Sequence, residues 1–460
     1  MSVYDLVVLG GGPAGLEAAE TAARLGRRVA LVERSELGGN SLNAGSVPSK
    51  AIIRSARACE TMRDGDEFGV PAATVAPLDL GTVLARMRRI RTRIAEYHSA
   101  ERLRAMGIEV FFSEARFTAA NAVLAGGAQL LFKKALIATG ARPAASNIPG
   151  LDGIGFLTST TIFEIKRLPD RLAIIGGGPL GCELAQALCR LGSHVTILQN
   201  EPKFLPCDDR EASELLSMSL SRDGVTTRLN TTVVGARMGN GDKLIDTVNN
   251  GVKATIAADE VMLSIGRVPN VEELGLKSAG VDFDSSQGIK VDDFLRTSNA
   301  DIYSAGDVCM SRKFTNAAQA SARMAVSNAF NGTRKQQSHM MIPWCTHCDP
   351  EIAHIGLHTW EARQRSIPVK TFTVMMQDVD RAITDGQDEG FVKIHVREGS
   401  DEILGATIVA ARAGEMINEM SVIMGAGIGM RKLADILHAY PSQSDAIRLA
   451  AVEYMRSEPQ

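Results

Sequence analysis

The feature that most constrains this chain is a glycine-rich turn that occurs twice. An apolar run at 6–9 ends in the turn Gly-Gly-Gly-Pro-Ala-Gly at 10–15, and a run at 172–175 ends in Gly-Gly-Gly-Pro-Leu-Gly at 176–181. A helix-like segment and a second apolar run follow each turn. This order of strand, turn, helix and strand is typical of a dinucleotide-binding α/β unit. Two copies predict two bound nucleotides.

The glycine spacing makes the motif specific. The first glycine of such a turn permits the tight bend, the second lets the backbone approach a pyrophosphate, and the third lets helix and strand pack closely. The glycines predicted to serve these roles are Gly10, Gly12 and Gly15 in the first copy, and Gly176, Gly178 and Gly181 in the second.

The two copies differ at the end of their second strand, where Glu33 in the first corresponds to Gln199 in the second. A carboxylate there favours free ribose hydroxyls, whereas a nearby cation favours a 2′-phosphate. The amide of Gln199, followed by Asn200 and then Lys203, suits either ligand, so NADH and NADPH both remain open. A further alternative is that this copy no longer binds a nicotinamide nucleotide.

Length and composition set broader limits. A chain of 460 residues exceeds the ~250–300 at which one core stops growing, so several domains are expected. The net charge of −3 gives no reason to expect nucleic acid or an anionic membrane as partner. Without a long apolar segment or a cationic leader before the first strand, we expect a cytoplasmic protein whose seven cysteines are reduced.

Residues 38–50 read Gly-Gly-Asn-Ser-Leu-Asn-Ala-Gly-Ser-Val-Pro-Ser-Lys. This segment closely resembles the redox-active segment of the class I flavoprotein disulfide reductases, which include dihydrolipoamide dehydrogenase, glutathione reductase and mercuric reductase. Members carry cysteines where this chain has Ser41 and Ser46. Because serine forms neither a disulfide nor a thiolate, the resemblance implies the family's fold without dithiol chemistry at this segment.

The resemblance covers nearly the whole chain, and Tyr440 with the segments 380–382 and 390–394 is similar to the mercuric reductase branch. It implies an α/β fold with two Rossmann-like dinucleotide-binding domains, for FAD and NAD(P), and a C-terminal α+β dimerisation domain. The predicted limits are 1–150 and 269–340 for the FAD domain, 151–268 for the NAD(P) domain and 341–460 for the interface domain.

The resemblance also implies the cofactor contacts. Beyond the first-turn glycines, those to FAD are Glu33, Arg34, Gly39, Asn40, Ser41, Lys50, Ala115, Thr139, Gly140, Arg267, Gly306, Asp307 and Thr315. Beyond the second-turn glycines, those to NADH or NADPH are Glu183, Gln199, Asn200, Gly266 and Cys345.

Lys50 and Glu183 stand at positions where the family pairs a lysine beside the flavin with a glutamate from the second glycine-rich helix. A cation at that point stabilises negative charge on a reduced flavin. An ordinary buried ion pair is the alternative, and the motif positions favour the catalytic interpretation.

The C-terminal segment departs from the family's disulfide reductases, whose His and Glu acid–base pair is matched here by Tyr440 and Asp445. An unperturbed tyrosine, with a pKa of ~10, donates hydrogen bonds at neutral pH and is no ready base. Mercuric reductases share the tyrosine but use thiols, and this sequence ends without their cysteine pair. Mercuric reduction is therefore not expected.

Cys345 and Cys348 enclose a histidine, a pattern that invites a redox or metal interpretation. If both lie on one strand, residues three apart point to opposite faces, so their sulfurs would not converge. No second cysteine pair or nearby histidine pair completes a zinc set. We predict structural cysteines and no metal site, with replacement of the missing redox pair as the alternative.

These observations predict a homodimeric FAD-dependent NAD(P)H oxidoreductase that passes electrons from reduced flavin directly to a small acceptor. Lys50, Glu183, Ser41, Ser46, Asp445 and Tyr440 of the partner subunit would form the catalytic site. The alternative is a flavin-binding partner or sensor protein that has lost catalysis. Deliberate Cys→Ser engineering is less favoured, because Asn40, Ala44 and Tyr440 also depart from the usual family residues.

Overall fold

A seven-stranded, a four-stranded and a five-stranded sheet organise residues 3–73 and 79–457, the part of the chain that the computed structural model describes. The seven-stranded and four-stranded sheets each contain one glycine-rich turn. We call the surrounding structures the first unit and the second unit, and the structure around the five-stranded sheet the C-terminal unit. The α/β fold with two dinucleotide-binding units is confirmed.

The central strands of the first unit are parallel, apolar and buried on both faces. Helices Pro13–Arg24 and Thr315–Asn331 cover one face, and strands 115–125 with the segment 271–289 cover the other. Its strands, in sheet order, are Ile108–Phe112, Val29–Glu33, Tyr4–Leu9, Ala128–Ile137, Ala122–Ala125 and Ala115–Ala119, with Ile302–Ser304 also paired to Ala128–Ile137. Its helices are Pro13–Arg24, Gly39–Asn43, Ser46–Arg63, Leu80–Ala95, Ala100–Ala105 and Thr315–Asn331.

The strand Ile302–Ser304 joins the first sheet although it follows the second unit in sequence, so the chain leaves the first sheet and returns to it. Two short antiparallel pairs accompany this passage, Ala141–Pro143 with Arg267–Pro269 and Phe283–Asp284 with Gly288–Ile289. The chain therefore visits the first sheet twice, and the division into an FAD domain and an NAD(P) domain with the limits 1–150, 151–268 and 269–340 stays a prediction.

The second unit repeats the parallel core on a smaller scale. Its parallel strands, in sheet order, are Thr226–Arg228, His194–Leu198, Arg171–Ile175 and Glu260–Leu263, and its antiparallel strands are Thr231–Gly239, Asp242–Asn249 and Val252–Ala258. Its helices are Leu151–Ile154, Pro179–Arg190 and Arg210–Arg222. One apolar core joins Pro179–Arg190 of this unit to Ser46–Arg63 of the first unit.

The C-terminal unit is an antiparallel sheet covered by helices. Its strands, in sheet order, are Trp344–Thr346, Glu351–Gly356, Ile403–Ala410, Phe391–Arg397 and Val369–Met375. Its helices are Thr359–Gln364, Asp380–Thr384, Ala413–Gly425, Met430–Asp435 and Asp445–Ser457. Within the described residues, no helix is both long enough and apolar enough to cross a membrane.

Candidate active site

The first glycine-rich turn is shaped by two contacts that exclude a side chain. Gly10 has φ of +104°, and a Cβ there would lie 2.4 Å from the Ala138 carbonyl oxygen. A Cβ at Gly15 would lie 1.8 Å from the Gly10 carbonyl oxygen. Glycine at these positions therefore lets the helix Pro13–Arg24 begin directly against the strand Tyr4–Leu9.

The second turn repeats both contacts. Gly176 has φ of +110° and its Cβ would lie 2.4 Å from the Ser264 carbonyl oxygen, while a Cβ at Gly181 would lie 2.2 Å from the Gly176 carbonyl oxygen. In both turns the middle glycine, Gly12 or Gly178, is the N-cap of the following helix and lines the large cavity.

The residues that differ between the repeats hold the same hydrogen bond. Glu33 Oε2 accepts the Gly11 N–H at 2.6 Å, and Gln199 Oε1 accepts the Gly177 N–H at 3.0 Å. Glu33 Oε1 also accepts the Ser35 N–H at 2.9 Å. Both side chains are buried. The repeat thus preserves the acceptor and changes its charge.

A continuous cavity of about 2460 Å³ runs past both turns and past the segment 38–50. Predicted cofactor residues that line it are Gly10, Gly12, Glu33, Arg34, Gly39, Asn40, Ser41, Lys50, Ala115, Thr139, Gly140, Arg267, Asp307, Thr315, Gly176, Gly178, Glu183, Gln199, Asn200, Gly266 and Cys345. The glycines that do not line it are Gly15, Gly181 and Gly306. Those three instead permit close packing, as the contacts of a Cβ built at each position show.

Lys50 and Glu183 form an ion pair in this cavity. Lys50 Nζ lies 2.9 Å from Glu183 Oε1 and 2.7 Å from Oε2, so it donates to both carboxylate oxygens. Glu183 is 3% exposed, and its Oε1 also accepts the backbone N–H of His347 at 2.8 Å. The carboxylate is therefore fixed by the C-terminal unit while it fixes the lysine of the first unit.

The two serines of the segment 38–50 line the same cavity as this pair. Ser41 Oγ is hydrogen-bonded to Thr315 Oγ1, and Ser46 begins the helix that carries Lys50. Asn40 Nδ2 donates to the Ala141 carbonyl oxygen at 2.5 Å. The segment is thus held in place by hydroxyl and amide contacts.

Tyr440 and Asp445 lie away from the cavity of their own chain. Tyr440 is 76% exposed, and its hydroxyl donates to Asp380 Oδ2 at 2.7 Å, a bond that raises the pKa of the phenol. Asp445 pairs with Arg448 at 2.7 Å. Within one chain the structure does not bring them to Lys50, and a role for Tyr440 in a partner's site stays a prediction.

The sequence interpretation of Cys345 and Cys348 needs one correction. The strand Trp344–Thr346 ends before Cys348, so the two residues do not share a strand. Cys348 is buried in the apolar core, whereas Cys345 lines the cavity. All seven cysteines are free, as expected, and burial raises the pKa of both the Cys345 and Cys348 thiols well above its usual range.

The sequence drew attention to His347 between the two cysteines but not to Glu351, whose carboxylate lies close to both Cys345 and His347. The Cys345 Sγ lies 3.8 Å from His347 Nδ1, which lies 3.2 Å from Glu351 Oε1. Although burial opposes it, hydrogen bonds from His347 and the Gly414 N–H keep the pKa of Glu351 below its ordinary value. The Cys-x-His-x-x-x-Glu spacing is a visible signal, because a carboxylate can complete a metal site together with cysteine and histidine.

Comparison with known proteins agrees with this architecture. Residues 4–325 match the model of the pyridine nucleotide-disulphide oxidoreductases, and residues 342–451 match the dimerisation domain of that family. The chain belongs to this family. The pyridine nucleotide-disulphide oxidoreductases are flavin-dependent, which confirms the resemblance seen in the sequence, and the dimerisation domain supports a homodimer.

The similar proteins include mercuric reductases and dihydrolipoyl dehydrogenases. A mercuric reductase from Lysinibacillus sphaericus is 30% identical over 451 residues, which cover 98% of this chain and 82% of the relative. A dihydrolipoyl dehydrogenase from Thermus scotoductus is 31% identical over 458 residues, which cover 98% of this chain and 97% of the relative.

Solved structures give the same result. LpdA from Mycobacterium tuberculosis aligns with a TM-score of 0.89 at 26% identity, over 98% of this chain and 100% of that chain. The Cu(II) complex of RclA, an HOCl-induced flavoprotein disulfide reductase from Escherichia coli, aligns with a TM-score of 0.88 at 26% identity, also over 98% and 100%.

Proposed function

We propose that this protein is an FAD-dependent NAD(P)H oxidoreductase that delivers electrons to a small acceptor without a redox-active disulfide. The observation that carries the proposal is the intact Lys50–Glu183 ion pair, which lines the same cavity as Ser41 and Ser46. The part of the family's site that stabilises charge is retained, while the part that carries electrons through sulfur is replaced by hydroxyls.

The first unit fits a flavin dinucleotide. Gly12 caps the helix Pro13–Arg24 and leaves its N-terminus open to the cavity, since a Cβ there would meet nothing closer than 3.7 Å. That helix end suits a pyrophosphate, and Glu33 at the end of the next strand suits ribose hydroxyls. Asp307, held by Arg267 at 2.6 Å, also lines the cavity. When bound, flavin accepts two electrons from a nicotinamide and passes them to an acceptor.

The second unit fits a nicotinamide nucleotide by the same criteria. Gly178 caps the helix Pro179–Arg190, and a Cβ built on it has no neighbour within 4 Å. Gln199 and Asn200 line the cavity at the end of the adjacent strand. Glu183 belongs to the same helix, so the proposed nucleotide site and the ion pair are parts of one element.

Lys50 is suited to stabilise negative charge on the flavin ring system. It donates to both oxygens of a carboxylate that is itself 3% exposed and tied to the His347 N–H, so the ammonium group is fixed in position. A fixed charge needs no reorganisation when the reduced state forms, and for this reason such groups lower reaction barriers.

Ser41 and Ser46 are suited to bind an electron acceptor, but they cannot carry electrons from the flavin to it as a cysteine pair would. Their hydroxyls stay protonated near neutral pH and can donate hydrogen bonds to an oxygen atom of an acceptor. The acceptor classes to test are quinones, metal ions, organic electrophiles and O₂. The relatives named mercuric reductase and the RclA structure with Cu(II) are the reason to include metal ions.

The deciding experiment is anaerobic mixing of the holoprotein with NADH and, separately, with NADPH. We expect at least one nucleotide to bleach the oxidised flavin band, and about two electrons per flavin to complete the titration because no disulfide takes part. Consumption of about four electrons per flavin would reveal a redox-active dithiol and contradict direct transfer. No bleaching with either nucleotide would favour the catalytically retired scaffold.

A matched pair of lysine substitutions tests the role of the ion pair. Lys50→Met is expected to slow flavin reduction by roughly 100-fold, the loss typical of removing one preorganised charge-stabilising group. Lys133→Met makes the same change at a surface ion pair with Asp5 and is expected to leave the rate unchanged. Equal rates in both variants would remove Lys50 from the mechanism.

A further inference from the structure

Cys345, His347 and Glu351 bring three potential metal-ligand atoms to one point on the cavity wall. Cys345 lies on the strand Trp344–Thr346, and Glu351 begins the antiparallel neighbour Glu351–Gly356. His347 lies in the connection between the two strands. The Sγ, imidazole nitrogen and carboxylate oxygen all lie within 4.8 Å of one another.

The use of one histidine nitrogen for both neighbours argues against a catalytic triad. In a triad the histidine uses one ring nitrogen for the nucleophile and the other for the acid. Here the same atom, His347 Nδ1, faces Cys345 Sγ at 3.8 Å and Glu351 Oε1 at 3.2 Å. Tetrahedral zinc, with bonds of about 2.0–2.3 Å, holds neighbouring ligand atoms about 3.3–3.6 Å apart.

Gly414 supplies a second, independent observation. A Cβ at this position would lie 3.1 Å from Glu351 Oε2, 3.2 Å from Cys345 Sγ and 3.3 Å from His347 Cε1. The backbone of residue 414 therefore sits against all three side chains, and only glycine leaves the space beside them open. Its N–H also donates to Glu351 Oε2 at 2.9 Å, which fixes the carboxylate while Oε1 faces His347.

The nearby charges are mixed. Arg57 lies 3.4 Å from Glu351 Oε1, and Lys50 is paired with Glu183 at 2.7 Å. Against these two cations stand the Glu183 and Glu351 carboxylates. A thiolate at Cys345 would add a third anion, so the surroundings do not repel a divalent cation outright.

We propose that Cys345, His347 and Glu351 form a three-ligand site for a borderline divalent cation of the Zn²⁺ class, with its fourth position open to the cavity. The donors are sulfur, imidazole nitrogen and carboxylate oxygen, a set that suits Zn²⁺ and does not suit Mg²⁺ or Ca²⁺, which require oxygen ligands. Cys345, His347 and Gly414 all line the cavity, so the remaining coordination position faces it. Three protein ligands with one open position are the pattern of catalytic zinc sites.

Binding must release a proton, because the thiol of Cys345 coordinates as the thiolate and its proton passes to solvent. Affinity is therefore expected to rise with pH. The site goes beyond the proposed oxidoreductase function, and its test measures metal binding, which does not depend on flavin reduction by a nucleotide.

The test uses Co²⁺ as a spectroscopic substitute for Zn²⁺ in holoprotein that has been treated with a chelator and carries Cys207→Ser, which removes the exposed thiol. We expect one Co²⁺ per chain, with a thiolate-to-metal charge-transfer band and intense visible bands typical of four-coordinate Co²⁺. Zn²⁺ should displace it stoichiometrically. Flavin content and thermal unfolding of each variant show whether it remains folded.

Three substitutions locate the site. Cys345→Ser is expected to abolish the charge-transfer band and weaken Zn²⁺ binding by about 100-fold or more. Gly414→Ala should weaken it by about tenfold, because the added methyl group intrudes beside the ligands. Cys348→Ser, the matched control, changes a core thiol three residues away and should leave binding intact.

Several results would overturn the proposal. Weak six-coordinate Co²⁺ spectra without a thiolate band would show that Cys345 does not bind the ion. Equal Zn²⁺ affinity in Cys345→Ser and Cys348→Ser would assign binding to another place. Absence of Zn²⁺ binding in a folded, flavin-loaded protein would leave only a hydrogen-bonded cluster.

Discussion

The two glycine-rich turns have almost the same structure, but the carboxylate of Glu33 beside the first is replaced by the neutral amide of Gln199 beside the second. Each has a glycine at positive φ below a carbonyl oxygen and a third glycine whose Cβ would collide with the first. In each turn a side-chain oxygen also accepts a backbone N–H. Glu33 accepts that of Gly11, and Gln199 accepts that of Gly177. The hydrogen bond is therefore a structural feature that both turns share. The charge of the accepting side chain differs between them, and this difference could let the two copies bind different ligands.

The surroundings of the two turns differ more than the turns do. The second unit is tied to the C-terminal unit by buried polar contacts, such as Arg190 to Asp349 at 2.7 Å and Trp344 Nε1 to Asp208 Oδ1 at 3.1 Å. Beside Trp344 lie His354 and His358, whose rings stack on each other. The second unit thus packs against a neighbouring unit that contains several buried titratable groups.

The largest expected effect comes from testing whether the third glycine is structural in both copies. Gly15→Ala and Gly181→Ala should each cost about 3 kcal/mol or more, because the methyl group would collide with backbone oxygen. Gly15→Ala should be the worse of the two, since its contact is the shorter. Urea unfolding of the variants measures the loss.

The middle glycines are the controls for that test. Gly12→Ala and Gly178→Ala introduce a methyl group that meets nothing closer than 3.7 Å, so folding should be retained while nucleotide binding weakens. Loss of stability as large as in the third-glycine variants would refute the division of roles within each turn.

Acidification should lower the free energy of unfolding, because the C-terminal unit buries three histidines, His354, His358 and His395. Burial lowers the pKa of His358 and His395 to about 4, and that of His354 well below its usual value. Between the unfolded pKa of about 6.5 and the folded values, the unfolded chain binds more protons. Stability should therefore be full above about pH 6.5 and fall as the pH drops, by about 1.4 kcal/mol per pH unit for each histidine.

Urea midpoints measured from pH 7 to pH 5 check this expectation. His395→Gln should flatten the pH dependence, whereas His194→Gln, a change at an exposed histidine, should not. Identical slopes in the two variants would exclude the buried histidine as a source of the acid sensitivity.

Removing the charge from the first turn tests whether its carboxylate does more than accept the Gly11 N–H. Glu33→Gln can keep the hydrogen bond, as Gln199 does in the second turn. It would lose the proposed charge-assisted interaction with ribose hydroxyls. We expect the dissociation constant for FAD to rise about tenfold in a fluorescence titration. Glu398→Gln, at an exposed site, is the control, and unchanged affinity at residue 33 would make the carboxylate purely structural.

The reciprocal change, Gln199→Glu, should have the smallest effect. A carboxylate at this position repels a 2′-phosphate and favours free ribose hydroxyls, so the ratio of kcat/KM for NADH to that for NADPH should rise about tenfold. Steady-state kinetics with both nucleotides provide the measurement. A ratio that stays constant would mean that Gln199 does not contact the ribose.

Much of the fold could be predicted because local patterns and the repeat agree. The apolar runs ending at Gly10 and Gly176 are the strands Tyr4–Leu9 and Arg171–Ile175, and the ion pair between Lys50 and Glu183 forms as expected. Such features depend on short-range periodicity and on motif positions, which a single sequence displays directly.

The convergence of Cys345, His347 and Glu351 could not be predicted in the same way. It depends on a hairpin whose first strand stops at Thr346, and on the helix Ala413–Gly425 bringing Gly414 against it from a distant part of the chain. Tyr440 illustrates a different limit, because its expected contact belongs to a second copy of the chain. Tertiary and quaternary contacts of this kind leave little trace in local sequence.

The Glu183 carboxylate has a mechanical consequence. It lies on the second unit, binds the ammonium group of Lys50 from the first unit, and accepts an N–H from His347 of the C-terminal unit. All three units therefore meet at one buried group. A displacement of the second unit relative to the other two would have to stretch or break bonds at this one carboxylate.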